Sequence, residues 1–409
     1  MKQGAGKMSN AVTINMFDEI LTGNVYSTVV VKERLQPAGG FGHHVAAAQY
    51  PSSTSTSPDS FRGGANIIPC GDGTMAVIID SIASAANRRD DVIFKDGNER
   101  MSSLFPAVNF EIPGEGCFHI AQAPHRSACA SIRLNAEVEK ILDEAMEQMK
   151  RGNLAPLARF DPSSIIGGVW DSRKFHLKMT RIVRSETVGF GATTEQQMNV
   201  FGGSAAAKVI GHDLIESKQA ASSGHGRVPN VDLPTNKVRV TSIESTSTVS
   251  IDPIRELRSR PKSTGPGRPR TAEEKEEDLK LQRYILGLCL LKALVTTPSH
   301  LRSGCDLIQT DDPDAFTVTL ACRNQKDRKT GQDIVERVAG LDLEQVIEFC
   351  NLAKGRGQFE VMDFKKPFIV KKESVIEDSA RSGKAKDKKK VAKSEIVAET
   401  EGAQPGVEG

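Results

Sequence analysis

The longest uninterrupted apolar stretch of the chain, residues 284–295, has only 12 residues and contains Lys292, which limits the structures open to it. A helix that crosses a membrane needs roughly 20 apolar residues, so we expect no integral membrane protein. The stretch instead completes a helix predicted over 271–295. At the start of that helix, Thr271 and Glu274 have the spacing of a capping box.

Cysteine usage and the N-terminal sequence both indicate a cytoplasmic protein. The chain has seven cysteines, an odd number, and no Cys-x-x-Cys pair. Scattered cysteines of this kind are typical of buried thiols in a reducing compartment, and the missing pair argues against a zinc ribbon. The N-terminal sequence contains no apolar segment of the kind that a secretory signal needs.

The order of the predicted elements indicates a mixed α/β (α+β) fold with a modest sheet. Hydrophobic residues make up 38% of the 409 residues, and we expect about 300 residues to be ordered. Strands are predicted where β-branched residues are dense, and helices where apolar residues recur at helical spacing. The predicted strands lie at 26–32, 66–80 (a hairpin turning at 71–73), 181–188 and 316–322, and the predicted helices at 81–91, 133–150, 271–295 and 343–353.

Three segments differ in composition from this core. Residues 192–247 are rich in Ala, Ser, Gly and Thr and resemble an insertion. Residues 258–270 contain five basic residues and three prolines, which is typical of a mobile loop. We therefore predict a first part of the core at 16–190, an insertion with a basic Pro-rich loop at 191–283, the rest of the core at 284–370 and a disordered charged tail at 371–409.

Charge is concentrated in the middle of the chain. The whole protein has a formal net charge of only +2. Residues 171–270, however, contain 16 Lys or Arg against 9 Asp or Glu. A locally basic region in a nearly neutral protein suggests a polyanionic partner, and a solvated loop is the competing interpretation.

Catalytic and metal-binding motifs are weak. The phosphate-binding, nucleophile-elbow and zinc-protease motifs GxxxxGK[ST], GxSxG and HExxH do not occur. His125 and Cys129 could share one helix face, but two ligands make a poor metal site. The pair His212-Asp213 and the acids at 311–314, which surround Pro313, are further weak metal candidates. We therefore predict no catalytic residue, no metal site and no cofactor.

The nucleic-acid features favour contacts to the backbone over contacts to bases. Aromatic residues make up only 5% of the chain, which disfavours base stacking on a Phe/Tyr sheet. Two stretches offer Arg, Asn and Ser for phosphate contacts, one at 81–89 and one at 169–186. Arg181 and Arg184 are three apart, so on a regular strand they face opposite sides. Ordinary salt bridges to Asp171, Glu186 and Asp90 remain an equally good interpretation.

Several of these stretches, taken in order, resemble one known family. The sequence is similar to the backbone-forming RAMP subunit of type I-G (formerly I-U) CRISPR surveillance complexes, the "Cas seven" family in its Csb form. The similarity covers residues of about 20–190 and 280–350 in the right order. The stretches that carry it are Leu35-Gln-Pro-Ala-Gly-Gly, Ile79-Asp-Ser-Ile-Ala-Ser-Ala-Ala-Asn-Arg-Arg-Asp, Pro124-His-Arg-Ser-Ala, Phe160-Asp-Pro-Ser-Ser-Ile-Ile-Gly-Gly-Val-Trp-Asp-Ser-Arg, Arg181-Ile-Val-Arg-Ser-Glu and Leu301-Arg-Ser-Gly-Cys-Asp-Leu-Ile.

The resemblance implies an RRM-like (ferredoxin-like) βαββαβ core with large thumb and finger insertions. Copies would stack along one CRISPR RNA as a helical filament and grip it through its backbone. Target DNA would then be recognised by pairing with the guide rather than by the protein. The implied partners are CRISPR RNA, target DNA through the guide, other copies of the chain, the other type I-G effector subunits and the helicase-nuclease.

The resemblance and the local chemistry together define the predicted site residues. The predicted RNA contacts, direct or through a neighbour, are Asn87, Arg88, His125, Arg126, Arg173, Arg181, Arg184 and Arg302. Trp170, Asp171 and Ser172 are predicted to support the loop that carries Arg173, with the indole packed at the Gly-Gly turn. Contact with target DNA or a neighbouring subunit is assigned to Arg258, Arg260, Lys262, Arg268 and Arg270.

The chain departs from the family pattern in two places. Arg89 stands where the family usually has an apolar residue, which puts the packing of that end of the helix predicted at 81–91 in doubt. Residues 192–282 have no clear counterpart, apart from a short stretch at 226–230 that loosely resembles a family loop.

Two alternative functions remain open from the sequence. Residues 267–270, Gly-Arg-Pro-Arg, resemble the core of a minor-groove AT-hook, which would suit a DNA-binding regulatory protein. A metal-dependent nuclease would use His212-Asp213 or the acids at 311–314.

Overall fold

The computed structural model describes residues 12–50, 64–95, 97–194, 237–260, 269–326, 333–338 and 341–378. The helices of this part are α1 (Asp18–Thr22), α2 (Ile82–Ile93), α3 (Glu99–Ser102), α4 (Ala136–Lys150), α5 (Ala155–Phe160), α6 (Pro162–Gly167), α7 (Ile251–Arg255), α8 (Ala272–Leu294) and α9 (Leu343–Lys354). Single 3₁₀ turns cover Ile120–Gln122, Arg126–Ala128 and Ile132–Leu134.

The strands alternate with these helices along the chain. They are β1 (Tyr26–Pro37), β2 (Val45–Ala46), β3 (Gln49–Tyr50), β4 (Gly64–Ala65), β5 (Ile67–Pro69), β6 (Met75–Asp80), β7 (Asn109–Ile112), β8 (Gly116–His119), β9 (Val169–Asp171), β10 (Leu177–Met179), β11 (Val183–Phe190), β12 (Thr193–Thr194), β13 (Lys237–Arg239), β14 (Ser242–Ser250), β15 (His300–Arg302), β16 (Cys305–Gln309), β17 (Phe316–Lys326), β18 (Asp333–Arg337) and β19 (Phe368–Ile369).

Nine of the strands in the described residues form one antiparallel sheet. Its central order is β17–β1–β14–β11, with β6 and β5 continuing beyond β11. Helices α2 to α6 lie between β1 and β11 in the chain, and α8 lies between β14 and β17. This is the strand order and helix placement of a ferredoxin-like βαββαβ core, so the predicted fold class is confirmed.

Helix α8 packs against the central strands and lies in the main hydrophobic core. Its C-terminal half is apolar on every side, which is typical of a fully buried helix, and Tyr284, Leu286 and Leu288 are inaccessible to solvent. Gly287 permits close approach of α9, since a Cβ there would lie 2.8 Å from Cys350 Sγ. The predicted capping box is confirmed: the Thr271 hydroxyl accepts from the Glu274 N–H at 3.2 Å, and the Glu274 carboxylate accepts from the Thr271 N–H at 2.9 Å.

Strand β14 corrects the predicted insertion. Composition places residues 242–247 in a segment outside the core, yet they belong to the strand between β1 and β11. Its buried positions alternate as Ile243, Ser245, Ser247 and Val249. The two serines are tolerated because Ser185 and Thr297 form hydrogen bonds to their hydroxyls at 2.8 Å. Sequence patterning missed the strand because half of its buried face is polar.

Arg89 fills the place of the expected apolar residue on α2. Its side chain is buried, and its guanidinium donates to the Ser247 hydroxyl at 3.0 Å. The helix end therefore packs on the sheet through a long polar side chain.

The other predicted elements match the observed ones closely. The hairpin predicted to turn at 71–73 is β5–β6, with Gly73 at a φ of +83°. The helix predicted at 133–150 starts later, at Ala136, because Asn135 caps it and accepts from the N–H groups of Glu137 and Val138. Residues 195–236 of the predicted insertion, the middle of the basic loop (261–268) and most of the tail (379–409) lie outside the described residues.

Candidate nucleic-acid interface

A cleft of about 930 Å³ opens between the turns at 124–134 and the β9–β10 hairpin. Four of the eight predicted RNA contacts line it, namely His125, Arg126, Arg173 and Arg181. Three further cations also line it, namely Arg133, Lys174 and Lys178, together with the acids Glu139, Asp171 and Asp378. The structure thus brings together two stretches that are about forty residues apart in the chain.

The Gly167-Gly168 pair shapes the floor of this cleft. Gly168 has a φ of +76°, and a Cβ there would lie 2.9 Å from the carbonyl oxygen of Met179 and 3.1 Å from Arg181 Cγ. A Cβ on Gly167 would lie 2.8 Å from the guanidinium carbon of Arg126. Both positions therefore need glycine, because two cationic side chains lie directly against the backbone.

Asp171 organises the loop that follows β9. One oxygen of its carboxylate accepts from the N–H groups of Arg173 at 3.1 Å and Lys174 at 2.9 Å, and the other lies 3.2 Å from Arg133. Burial raises the pKa of Asp171, but the backbone N–H groups and Arg133 outweigh that effect, so its pKa lies below the ordinary value. Ser172 is exposed beside it.

A buried network of hydrogen bonds and ion pairs anchors Arg126. It has a φ of +46°, and its guanidinium donates to Asp90 at 2.9 Å. Asp90 also pairs with the buried Lys292 of α8. The next residue, Ser127, donates its N–H to Asp161 at 3.0 Å and shares a 2.6 Å hydrogen bond with Ser164. Because Arg126 is anchored in this way, its side chain stays in place at the wall of the cleft.

The neighbouring Asp161 is fully buried. Burial raises the pKa of its carboxyl above the ordinary value, although hydrogen bonds from Ser164 and the charge of Arg126 oppose that shift. Its hydrogen bonds join the turn at 126–128 to the start of α6. The carboxyl therefore acts as an internal brace for the turn that carries His125 and Arg126.

Three cations at the cleft and its edge differ from the rest. Lys178 on β10 and Arg184 on β11 are exposed, and Arg181 is half-buried. Within the described residues, none of the three forms an ion pair, whereas Lys174 pairs with Glu139 and Asp143, and Arg173 lies 4.0 Å from Asp378. We call Lys178, Arg181 and Arg184 the unpaired cluster. Such a cluster favours binding of an external anion.

Arg181 has the least favourable surroundings of the three for a positive charge. Burial lowers the pKa of its guanidinium, and the nearby charges of Arg126 and Arg184 lower it further. The sequence predicts that Arg181 and Arg184 face opposite sides of one strand. This expectation does not apply, because β11 begins at Val183 and Arg181 lies in the segment before it.

Of the three remaining predicted contacts, Arg88 on α2 and Arg302 on β15 lie at a separate place, near the end of β6. Both approach Asp80, at 3.3 Å and 3.5 Å respectively. Arg302 also donates to the carbonyl oxygens of Ala46 at 2.9 Å and Ile79 at 2.8 Å. Its guanidinium is therefore engaged within the fold, so a role for Arg302 in RNA binding would be indirect, through the residues that it holds in place. Asn87 is exposed on α2 beside this group.

The basic loop is tied to α8 at both ends. Arg258 and Arg270 lie 3.7 Å and 2.7 Å from the buried Asp278 carboxylate, and Arg260 is exposed. Lys262 and Arg268 lie outside the described residues. Two of the five cations assigned to DNA or a neighbouring subunit therefore serve to anchor the loop.

Trp170 differs most from its predicted role. The sequence predicts that it packs at the Gly-Gly turn, but its side chain stands in the cleft and is 69% exposed. Its partner across the β9–β10 hairpin is Lys178. Sequence reasoning missed Lys178 as a site residue, and the signal available was its position in the basic run after Trp170.

The metal-binding candidates do not form a site in the described residues. No group of three or more His, Cys, Asp or Glu side chains there is placed to hold a metal ion. His125 is exposed while Cys129 is buried. At 311–314, Asp312 pairs with Arg34 and accepts from the Asp314 N–H at 2.8 Å, as in a turn. His212-Asp213 lies outside the described residues.

Across the described ranges, the helices include none with the length and apolar character needed to cross a membrane.

Comparison with known proteins gives one family. Residues 29–194 match the model of the family described as CRISPR-associated protein GSU0053. This range extends from β1 to β12 and contains the whole β9–β10 hairpin, the Gly-Gly pair and the unpaired cluster. No curated protein matches the chain.

Proposed function

We propose that this chain, a CRISPR-associated protein over residues 29–194, is a non-catalytic subunit that binds CRISPR RNA. In this proposal it forms the backbone of a type I-G surveillance complex, with copies side by side along one guide. The guide then selects target DNA by base pairing in antiviral defence. The other effector subunits and the helicase-nuclease would assemble on this filament, in the cytoplasm.

The observation that carries the proposal is the unpaired cluster at the cleft. Elsewhere in the cleft each described arginine or lysine has a carboxylate nearby, so its charge is largely neutralised. Lys178, Arg181 and Arg184 lack such a neighbour among the described residues. A phosphate group would relieve the repulsion between Arg181 and Arg184 and give these side chains an anionic partner.

The chemistry of the cleft suits a guide of arbitrary sequence. Six arginine and lysine side chains line the cleft, and these residue types make the phosphate contacts that carry no sequence information. A subunit that must hold many different guides has to bind features common to all RNA, which are the phosphates and the 2′-hydroxyls. The loop at 258–270 gives less support to the DNA-binding alternative, since Arg258 and Arg270 both turn toward Asp278.

Charge reversal in the unpaired cluster tests the proposal. The full chain carrying Lys178→Glu and Arg181→Glu should lose RNA that co-purifies with the wild type, seen as a lower 260/280 nm absorbance ratio. Its affinity for single-stranded RNA should fall at least tenfold. The dependence of log K on log salt should become shallower by roughly 0.7 for each phosphate group that the variant no longer neutralises.

A matched control is available at Lys365 and Lys366. Both are exposed, neither lines the cleft, and Lys365→Glu with Lys366→Glu changes the net charge by the same amount. This control should keep most of the RNA affinity. Equal losses in the two double variants would mean that overall charge, rather than the cleft, binds RNA. Unchanged binding in the cleft variant would overturn the proposed site.

A further inference from the structure

We propose that Trp170 stacks on a base of the RNA strand bound in the cleft. The inference rests on the proposed function and extends it from phosphate binding to a defined contact with one nucleotide. Trp170 is the only tryptophan of the chain, and 69% of its surface is exposed. Large aromatic side chains normally stay buried, so a tryptophan this exposed calls for a partner.

The two residues next to Trp170 in β9 fix its position. In β9, Val169 and Asp171 are buried while Trp170 between them is exposed, as strand alternation requires. Asp171 is fixed by its hydrogen bonds to the following turn and by its ion pair with Arg133. The backbone that carries the indole is therefore already ordered, so ligand binding costs less conformational entropy.

Both faces of the indole are free of ring partners within the described residues. Among the described phenylalanines, Phe110 stacks on Phe118, Phe160 meets Phe364 edge to face, and Lys150 lies over Phe175 at 4.9 Å. The structure gives Trp170 neither a stacking nor a cation–π neighbour of this kind among the described residues. Its aromatic surface is available to a planar ligand.

The positively charged residues around the indole indicate which kind of ligand it would bind. Lys178 lies directly opposite Trp170 on the hairpin, and side chains at such positions share one face. Arg181 and His125 line the same cleft. A flat ring beside cations without carboxylate partners is suited to a nucleotide, with the base on the indole and the phosphate on Lys178 or Arg181.

The inferred contact agrees with a guide of arbitrary sequence. Every base has an aromatic face, so stacking tolerates any base and makes no sequence choice. Each copy of the chain would hold one base in this way. The contact would set where each copy sits along the RNA.

The single tryptophan makes the test direct. Tryptophan fluorescence of the full chain, excited selectively over its three tyrosines, reports on Trp170 alone, and titration with single-stranded oligoadenylate should quench it. Trp170→Ala should lower RNA affinity by about 5- to 150-fold, the range for one stacked base, and Trp170→Phe should lower it less. Thermal stability of Trp170→Ala should stay close to wild type because the ring is exposed.

Salt dependence separates stacking from charge. Trp170→Ala removes no charge, so its slope of log K against log salt should equal that of the wild type, whereas Lys178→Gln should make the slope shallower. Phe190→Ala is the control, because Phe190 is an exposed aromatic residue that does not line the cleft. It should leave RNA affinity unchanged.

The outcomes for stacking and for the proposed function can be told apart. RNA binding that depends on Lys178 and Arg181 but neither quenches Trp170 nor weakens in Trp170→Ala would overturn the stacking and leave the proposed function standing. Quenching with unchanged affinity in Trp170→Ala would likewise overturn it. A wild-type chain that binds no RNA at low salt would overturn both.

Discussion

Single residues decide how charge is distributed in the cleft. Arginines that look equivalent in the sequence differ in what they contact. Arg302 donates to two backbone carbonyl oxygens, Arg126 is pinned to Asp90, and Arg181 has no carboxylate partner among the described residues. Only the last of these retains its full capacity to bind an external phosphate.

Gly168→Ala tests how closely the backbone must approach Arg181. The substitution places a methyl group 2.9 Å from the carbonyl oxygen of Met179 and 3.1 Å from Arg181 Cγ, at a φ of +76°. We expect a loss of about 1–3 kcal/mol in the free energy of unfolding, measured by urea denaturation. We also expect weaker RNA binding, because Arg181 must move.

Gly73→Ala is the control for this variant. Gly73 has a φ of +83°, but a Cβ there would meet nothing within 4 Å. It should show the conformational penalty without any loss of RNA affinity. If both alanine variants bind RNA like the wild type, the position of Arg181 is not critical.

At the scale of elements, polar contacts at the ends of helices and on the faces of strands link neighbouring elements of the core. Helix α8 carries both the capping box at Thr271 and the Asp278 carboxylate that holds the basic loop. Strand β14 brings two serine hydroxyls into the core, where Ser247 bonds to Ser185 and Arg89, and Ser245 bonds to Thr297. The sheet therefore tolerates polar residues wherever a neighbouring element supplies the partner.

Thr271→Ala should destabilise the start of α8. The hydroxyl that accepts from the Glu274 N–H is lost, and N-cap substitutions of this type cost about 1 kcal/mol. Urea denaturation should show this loss, and amide exchange should become faster in residues 272–275. Thr271→Ser keeps the acceptor and should remain near wild type. Equal losses in the serine and alanine variants would rule out the cap as the cause.

At the scale of the whole molecule, one buried carboxylate joins three parts of the fold. Asp90 on α2 pairs with Arg126 of the cleft and with Lys292 of α8. Burial lowers the pKa of the Lys292 ammonium, and the Asp90 charge opposes that shift. The cleft is thus linked to the core helix through a single acidic side chain.

Asp90→Asn should be strongly destabilising. Two buried cations would lose their counter-charge, which costs about 3–5 kcal/mol in the free energy of unfolding. Adding Lys292→Met should restore part of the loss, because an apolar side chain replaces the unpaired ammonium. Denaturation of the single and double variants measures both effects.

Asp91→Asn is the natural control for this experiment. Asp91 is the next residue on the same helix and is exposed. For Asp91→Asn, the decrease in the free energy of unfolding should stay within about 0.5 kcal/mol, as for other surface substitutions. A similarly small loss for Asp90→Asn would contradict the role of the buried pair.

Local sequence was sufficient for features whose cause lies within a few residues. The capping box of α8, the helix at 343–353, the hairpin turning at 71–73 and the strand at 316–322 all follow from neighbouring side chains. The mixed fold class followed from the order of these elements. For these features, backbone preference and hydrophobic spacing act locally, so the sequence alone determines them.

The tertiary structure alone decided which side chains meet. Arg302 and Asp80 are 222 positions apart, and nothing near either residue in the sequence indicates their pairing. The same holds for the inclusion of β14 in the core, for the exposure of Trp170 and for the missing carboxylate partners of Lys178, Arg181 and Arg184 among the described residues. Burial and charge pairing depend on residues that the chain brings together only when it folds, so these properties are decided by packing across the whole molecule.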